Sequence, residues 1–168
     1  RRRAHFHMRA DHGHDGANPW RGVKRDAWEG GHRVPFIVRW PAQVKPGTSH
    51  ALMSQVDLLA NLAALTGQSV PAGHAADSEN NLAALLGTSA QGREYLIEQS
   101  NGGPPFGFRH GTWKLLPTGA GKGDDKKVAL YNLAEDLSEK TDVATANAPI
   151  VAAMFEKFNE TVGTSAAK

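Results

Sequence analysis

Short runs rich in apolar, β-branched and aromatic residues predict five strands along this chain. The first, Phe36–Trp40, lies between two prolines in the first half of the sequence. The other four lie in the second half, at Arg93–Gln99, Phe106–Arg109, Thr112–Leu116 and Val128–Leu133. The two-residue turn His110-Gly111 joins the middle pair, so these four strands are expected to form one antiparallel sheet.

Two other stretches repeat their apolar residues with the spacing of an α-helix. Ser54 and Asp57 form a capping box, and leucines at helical spacing follow as far as Leu65, before Gly67 as a natural C-cap. Pro149, which is tolerated in the first turn of a helix, opens the second helix. The apolar face of this helix is expected to cover the sheet. It consists of Val151, Met154, Phe155, Phe158 and Val162.

The composition is that of an ordinary globular protein. Of the 168 residues, 40% are hydrophobic and 21% are charged, which allows one or two small domains with a core. Lys and Arg number 19 against 17 for Asp and Glu, and this near balance argues against a nucleic-acid partner. The chain has no Cys, which excludes a disulfide, a zinc thiolate site and a Cys nucleophile within these residues. No apolar run reaches the length of a membrane span.

The segment Asp11–Pro41 carries the candidate chemistry. The pair Gly30-Gly31 allows the backbone to pass where a side chain would clash. Lys24 lies on the loop before the first predicted strand, a position that suits a residue that binds an anion. Glu29 and Arg33 are expected to hold this loop by hydrogen bonds and charge pairing.

Four motifs follow one another in order along this segment. They are Asp11-His12-Gly13, Arg21-Gly22-Val23-Lys24, Glu29-Gly30-Gly31-His32-Arg33-Val34-Pro35 and Trp40-Pro41. The series resembles that of the type I sulfatases, the formylglycine-dependent, arylsulfatase-like sulfuric ester hydrolases of the alkaline phosphatase superfamily. The resemblance continues through the Arg-x-Gly-x-Trp-Lys-Leu stretch Arg109–Leu115 and the stretch Leu130–Glu139, and it covers about Asp11 to Val162.

The resemblance implies an α/β fold of the alkaline phosphatase and sulfatase type, of which this chain is expected to be a C-terminal fragment. Residues 1–90 would be the last part of the catalytic domain. Residues 91–168 would form a small α+β subdomain with the four-stranded antiparallel sheet and the C-terminal helix. Because partners of the first part are missing, we expect exposed apolar surface at Phe36–Val38 and Leu58–Leu65. Residues 1–10 do not predict a folded element, and His5 and His7 are interpreted as part of a solvated or non-native arm.

The same resemblance assigns roles to three residues. Asp11 and His12 stand where the family has metal ligands, and the expected ion is calcium. His12 stands in place of the commoner Asn and offers a nitrogen ligand, so magnesium, manganese and zinc remain alternatives to calcium. Lys24 stands where the family has a lysine that contacts the sulfate group, and a fixed cation there stabilises charge that grows on the sulfate oxygens. Arg25 and Lys114 are expected to affect the rate little.

The reaction that the resemblance implies is hydrolysis of a sulfate ester by a formylglycine nucleophile. The stretch Ser69–Gly73 begins like the nucleophile motif, but Gly73 stands where Arg is required, so we reject it. The nucleophile is therefore expected outside these residues, and this chain alone is expected to be inactive. The expected substrate is a sulfated small molecule or glycan, and the parent protein is expected to be periplasmic or secreted.

Two alternatives remain open from the sequence. One is a metal-dependent phosphoesterase or phosphonate hydrolase of the same superfamily, with a Thr or Ser nucleophile. The other is a non-catalytic module that binds an anionic glycan through the basic loop around Lys122, Lys126 and Lys127. Finding the nucleophile would separate these alternatives from a sulfatase.

Overall fold

The computed structural model describes residues 11–100, 106–117 and 128–166, with side chains described as far as residue 162. The chain forms two compact units: the first consists of Arg1–Val34 and Ile97–Glu156, and the second of Pro35–Leu96 and Lys157–Lys168. The division between residues 90 and 91 stays a prediction. Five residues considered above lie outside the described ranges: His5, His7, Lys122, Lys126 and Lys127.

A four-stranded sheet with the order β1-β2-β3-β4 is the main secondary structure of the chain. Its strands are β1 Tyr95–Gln99, β2 Phe106–His110, β3 Trp113–Pro117 and β4 Val128–Asn132. Strand β3 pairs antiparallel with both β2 and β4, and Leu115 lies opposite Phe108 on one side and Leu130 on the other. The predicted strands are confirmed with small shifts at their ends. The turn between β2 and β3 is Gly111-Thr112, one residue later than predicted, and Gly111 has a φ of 59°.

Both faces of the β3–β4 pair are buried in the first unit. Successive side chains of a strand point to opposite faces, so Leu115 and Leu130 lie on one face with Phe108, and all three are fully buried. The other face carries Lys114, Leu116, Ala129 and Tyr131. Ala27 joins the apolar cluster on this second face, and the ring of Trp28 contacts that of Tyr131 edge-on at 5.5 Å between centroids. The segment around Trp28 is thereby fixed against the sheet.

Two helices complete the described part of this architecture. The short helix α1, Glu29–His32, follows Trp28 directly. A 3-10 turn at Thr145–Asn147 leads into the long C-terminal helix, which runs from Ala148 to Ala166 and confirms the helix predicted after Pro149. Met154 on its predicted apolar face is buried, whereas Val162 is 43% exposed. No helix among the described residues is both long and apolar enough to cross a membrane.

In the second unit, a 3-10 turn at Gln55–Asp57 leads into α2, Leu58–Leu65, and α3 is the short helix Leu82–Leu85. The predicted capping box is confirmed, because the N–H of Ser54 donates to the Asp57 carboxylate at 3.0 Å. Asp57 is fully buried and also accepts from Nε of Arg93 at 2.8 Å and from the N–H of Glu79 at 3.0 Å. Asp57 is therefore a structural residue that joins the helix start to the loop beside it.

The prediction of a strand at Phe36–Trp40 is wrong. This segment belongs to none of the strands formed by residues 11–100, 106–117 and 128–166. A strand needs a neighbouring strand to satisfy its backbone N–H and C=O groups, and the β-propensity of a sequence cannot supply that neighbour. The predicted exposure is confirmed, since Phe36 is 51% and Ile37 88% exposed. Four more apolar residues in the two predicted regions are exposed: Val38, Leu59, Leu62 and Leu65.

Candidate functional site

Lys24 lies at the tip of a tight turn in the first unit. The turn is closed by two hydrogen bonds, one from the Asp26 N–H to the Val23 carbonyl and one from the Val23 N–H to the Asp26 carboxylate, both at 2.9 Å. Lys24 and Arg25 occupy its two central positions and are exposed. Arg25 has a φ of 91°, a conformation that costs energy for any residue with a Cβ. The turn therefore presents two cations to solvent on a backbone that its neighbours hold in place.

The two glycines of α1 allow this turn to lie directly against the helix. A Cβ added to Gly31 would stand 2.2 Å from the Asp26 carbonyl oxygen and 2.9 Å from that of Val23. A Cβ added to Gly30 would stand 2.7 Å from the carbonyl oxygen of Gly22. Backbone at these distances cannot accommodate a side chain. The glycines thus have the role that the sequence predicted for them.

Glu29, the first residue of α1, is buried and makes ion pairs with three cations. Its carboxylate accepts from Nε of Arg33 at 2.7 Å, from Nζ of Lys114 at 2.9 Å and from Nη1 of Arg109 at 3.1 Å. The structural role predicted for Glu29 and Arg33 is therefore confirmed. Glu29 holds the loop to strands β2 and β3, which lie 80 and 85 residues away along the chain.

Lys114 is the centre of this ionic cluster and is fully buried. Its ammonium contacts the carboxylates of Glu29 and Glu98 and lies 3.7 Å from that of Glu139. Lys114 is therefore a structural residue of the core, and the expectation that it affects the rate little stays a prediction. The sequence offered a partial signal, because Lys114 and Glu139 both fall within stretches that carry the family resemblance. Arg109 begins the same Arg-x-Gly-x-Trp-Lys-Leu stretch as Lys114, whereas Glu98 had no signal beyond its place in a predicted strand.

The cluster shifts the titration of its members in different directions. Burial raises the pKa of Glu29, but the charges of Lys114 and Arg109 outweigh burial and lower it to about 2. Burial raises the pKa of Glu98 to about 7, against the opposing effect of Lys114. Burial lowers the pKa of Lys114, but the three carboxylates around the ammonium have the larger effect, so the pKa is raised overall. The lysine and Glu29 thus stay charged at neutral pH, while Glu98 is partly protonated.

Asp11 and His12 are adjacent and exposed at the start of the described chain. No group of three or more His, Cys, Asp or Glu side chains that could hold a metal ion occurs in the described ranges. One carboxylate and one imidazole are suitable donor types, but calcium takes six or more ligands. The described residues therefore supply at most part of a metal centre.

Comparisons with known proteins agree on one family. The family model described as Sulfatase matches residues 1–68. N-acetylgalactosamine-6-O-sulfatase of Bacteroides thetaiotaomicron is 40% identical over 154 residues, which are 86% of this chain and 30% of that protein.

Two solved structures share the fold. One was determined in work on the metabolism of multiple glycosaminoglycans by Bacteroides thetaiotaomicron. It has a TM-score of 0.76 at 40% sequence identity, and the match covers 86% of this chain and 32% of the solved chain. The other, Ps i-CgsB in complex with k-i-k-neocarrahexaose, has a TM-score of 0.67 at 25% identity and covers 85% of this chain and 32% of its own. The chain therefore spans 30–32% of the length of these relatives. The alkaline phosphatase-like fold is confirmed, and the chain belongs to the sulfatase family.

Proposed function

We propose that this chain supplies the cationic part of an active site that hydrolyses a sulfate ester to an alcohol and inorganic sulfate. The observation that supports the proposal most directly is the position of Lys24. Its side chain is exposed, while two hydrogen bonds close the turn that carries it and the glycines of α1 lie against that turn. In hydrolysis the bond between sulfur and the ester oxygen breaks, and negative charge grows on the oxygens. A cation held in place before the reaction stabilises that charge without reorganisation. Lys24 is assigned this role.

The proposed substrate is a sulfated glycan. Two of the relatives support this choice, one named as an N-acetylgalactosamine-6-O-sulfatase and the other solved with a neocarrahexaose. A full-length protein should show a higher kcat/KM for a sulfated oligosaccharide than for a small aryl sulfate. Equal values, or a preference for the aryl ester, would reject the glycan and leave the sulfatase reaction in place.

Asp11 and His12 are proposed to hold part of the divalent metal site, with calcium as the first candidate and magnesium, manganese or zinc as alternatives. When bound, such an ion supplies positive charge to the sulfate oxygens. The two residues alone do not complete its ligand set. Isothermal titration of this chain with calcium should therefore show no site tighter than about millimolar, the weak end of protein calcium sites. A micromolar site would mean that the chain completes the coordination by itself.

The decisive experiment tests Lys24 in a full-length protein that joins this sequence to a formylglycine segment. Lys24→Ala should lower kcat roughly a hundredfold or more, since one lost contact to the transition state costs on the order of 3 kcal/mol. Lys24→Arg should restore little, because a planar guanidinium does not replace a compact ammonium. This chain without a nucleophile segment should show no turnover.

Arg25→Ala and Lys45→Ala serve as matched controls, since both side chains are exposed cations. Both variants should keep kcat close to that of the unchanged protein. If Lys24→Ala keeps a near-normal kcat while Arg25→Ala loses most of it, the catalytic cation of the turn is Arg25 and the assignment to Lys24 is wrong. Normal rates for both would place the anion site elsewhere. A periplasmic or secreted location of the parent protein stays a prediction.

A further inference from the structure

Glu139 is a fully buried glutamate on the chain that follows strand β4. It has a φ of 49°, a left-handed conformation that is uncommon for a residue with a side chain. Such a conformation persists only where the surrounding structure imposes it. Its contacts identify what that surrounding structure is.

Glu139 binds both ends of the segment that carries Lys24. Its backbone carbonyl accepts from Nη1 of Arg21 at 2.8 Å, across 118 residues of sequence. Its carboxylate accepts from the backbone N–H of Glu29 at 2.9 Å, across 110 residues. One residue from a distant loop therefore fixes both the first and the last residue of Arg21–Glu29.

The segment between these two points is closed further by its own backbone. The N–H of Gly30 donates to the Arg21 carbonyl at 2.8 Å. The guanidinium of Arg21 also lies over the ring of Trp28, 3.6 Å from its centroid. With its ends held together, the segment has little freedom left, and its turn at Val23–Asp26 is the part that projects.

Burial raises the pKa of Glu139, against the opposing charge of Lys114. The nearest cation is Lys114, whose ammonium lies 3.7 Å from the second carboxylate oxygen. The side chain is fully buried, so it cannot contact a substrate. Its effect on any reaction must pass through the residues that it holds.

We propose that Glu139 is a positioning residue that fixes the Lys24 turn by holding both ends of the segment Arg21–Glu29. The link to catalysis rests on the proposed sulfatase role of Lys24, whereas the link to the geometry of the turn does not. The two parts are therefore tested by different measurements.

Amide hydrogen exchange on this chain tests the geometry. Glu139→Ala removes the acceptor of the Glu29 N–H, and Glu139→Gln keeps a carbonyl oxygen in its place, while both keep a Cβ at the same backbone conformation. In the Ala variant, exchange at Asp26, Glu29, Gly30 and Gly31 should be about tenfold faster, with the β3–β4 ladder unchanged. In the Gln variant the same amides should stay within about threefold of the unchanged protein.

Two further variants keep this test conclusive. Glu135→Ala, an exposed glutamate of the same loop, should leave every rate unchanged. Arg21→Gln should accelerate the same amides without altering the buried carboxylates, so it replaces Glu139→Ala if that variant does not fold. The proposal would be overturned if the amides of the turn and of α1 exchanged at unchanged rates in both Glu139→Ala and Arg21→Gln. Equal acceleration of exchange across the whole sheet would overturn it as well.

Kinetics of the full-length protein test the link to catalysis. Glu139→Ala should lower kcat about tenfold with KM changed less, and it should have no further effect once Lys24 is already Ala, because both changes remove the same contact. An additive loss in the double variant would refute positioning of Lys24 by Glu139. If Lys24→Ala itself has no effect on kcat, the proposed function fails, and the exchange result still decides whether Glu139 holds the turn.

Discussion

Two neighbouring segments of this chain are organised in opposite ways. Arg21–Val34 is rich in charged residues, yet its Glu29 is buried and held by partners from the sheet. Pro35–Pro41 is mostly apolar, yet Ile37 is 88% exposed. The comparison shows that burial in this protein follows from the presence of complementary partners. Polarity alone would predict that Arg21–Val34 is the exposed segment and Pro35–Pro41 the buried one.

Removing the central cation should produce the largest change. Lys114→Met keeps the length of the side chain but leaves Glu29, Glu98 and Glu139 buried together without their shared ammonium. Breaking a buried ion pair from one side costs about 3–5 kcal/mol, so the free energy of unfolding should fall by that order. Chemical denaturation measures it, with Lys140→Met as the exposed control. A loss below about 1 kcal/mol would mean that the carboxylates rearrange to water or protonate at little cost.

A side chain at Gly31 should have the next largest effect, because it separates α1 from the turn. Gly31→Ala puts a Cβ against the carbonyls of Val23 and Asp26, and overpacking of this kind costs about 1–3 kcal/mol. Gly47→Ala is the matched control, since it has open space and no positive φ. The control should be neutral or slightly stabilising. Equal melting temperatures for the two variants would contradict the close contact at Gly31.

The ionic cluster should also give the first unit a pH dependence of known sign. The pKa of Glu98 is raised by burial to about 7, so between pH 4.5 and 7 the folded state binds more protons than the unfolded state. Stability from this group is present at the acid end of that window and is lost as the pH rises. The shift of Glu29 has the opposite sign and acts between about pH 2 and 4.5, where stability is lost as the pH falls.

The variant Glu98→Gln isolates the first effect, because the amide does not titrate. The free energy of unfolding of the unchanged chain, minus that of Glu98→Gln, should fall by on the order of 1–2 kcal/mol between pH 4.5 and 7.5. Denaturant titrations at several pH values measure this difference. A constant or rising difference would show that Glu98 is ionised throughout and that Lys114 dominates its environment.

The apolar segment should give the smallest effect on stability. Ile37→Ser changes an exposed side chain, so the free energy of unfolding should change by less than about 0.5 kcal/mol. Exposed apolar patches promote association, so the variant should associate less than the unchanged chain in size-exclusion chromatography. A clean monomer for the unchanged chain at high concentration would argue that this surface is not adhesive.

Local pattern was sufficient for much of this architecture. The four strands of the sheet, the capping box at Ser54 and the helix after Pro149 all depend on residues close together in sequence. The glycines of α1 were also identified in advance, because close backbone approach is a property that only glycine serves. The ordered motifs between Asp11 and Pro41 were enough to identify the family.

Tertiary structure decided which charges are buried and which apolar residues are not. The position of Lys114 among three carboxylates depends on strand pairing and on loops up to 110 residues apart, and no local period records such pairing. Phe36–Trp40 has the composition of a strand, but a strand exists only with a neighbour to accept its hydrogen bonds. Sequence therefore determined the elements and the family of this protein. The folded chain determined that Glu29, Lys114 and Glu139 hold the turn of Lys24, because the energy of a buried charge depends on partners that only folding brings together.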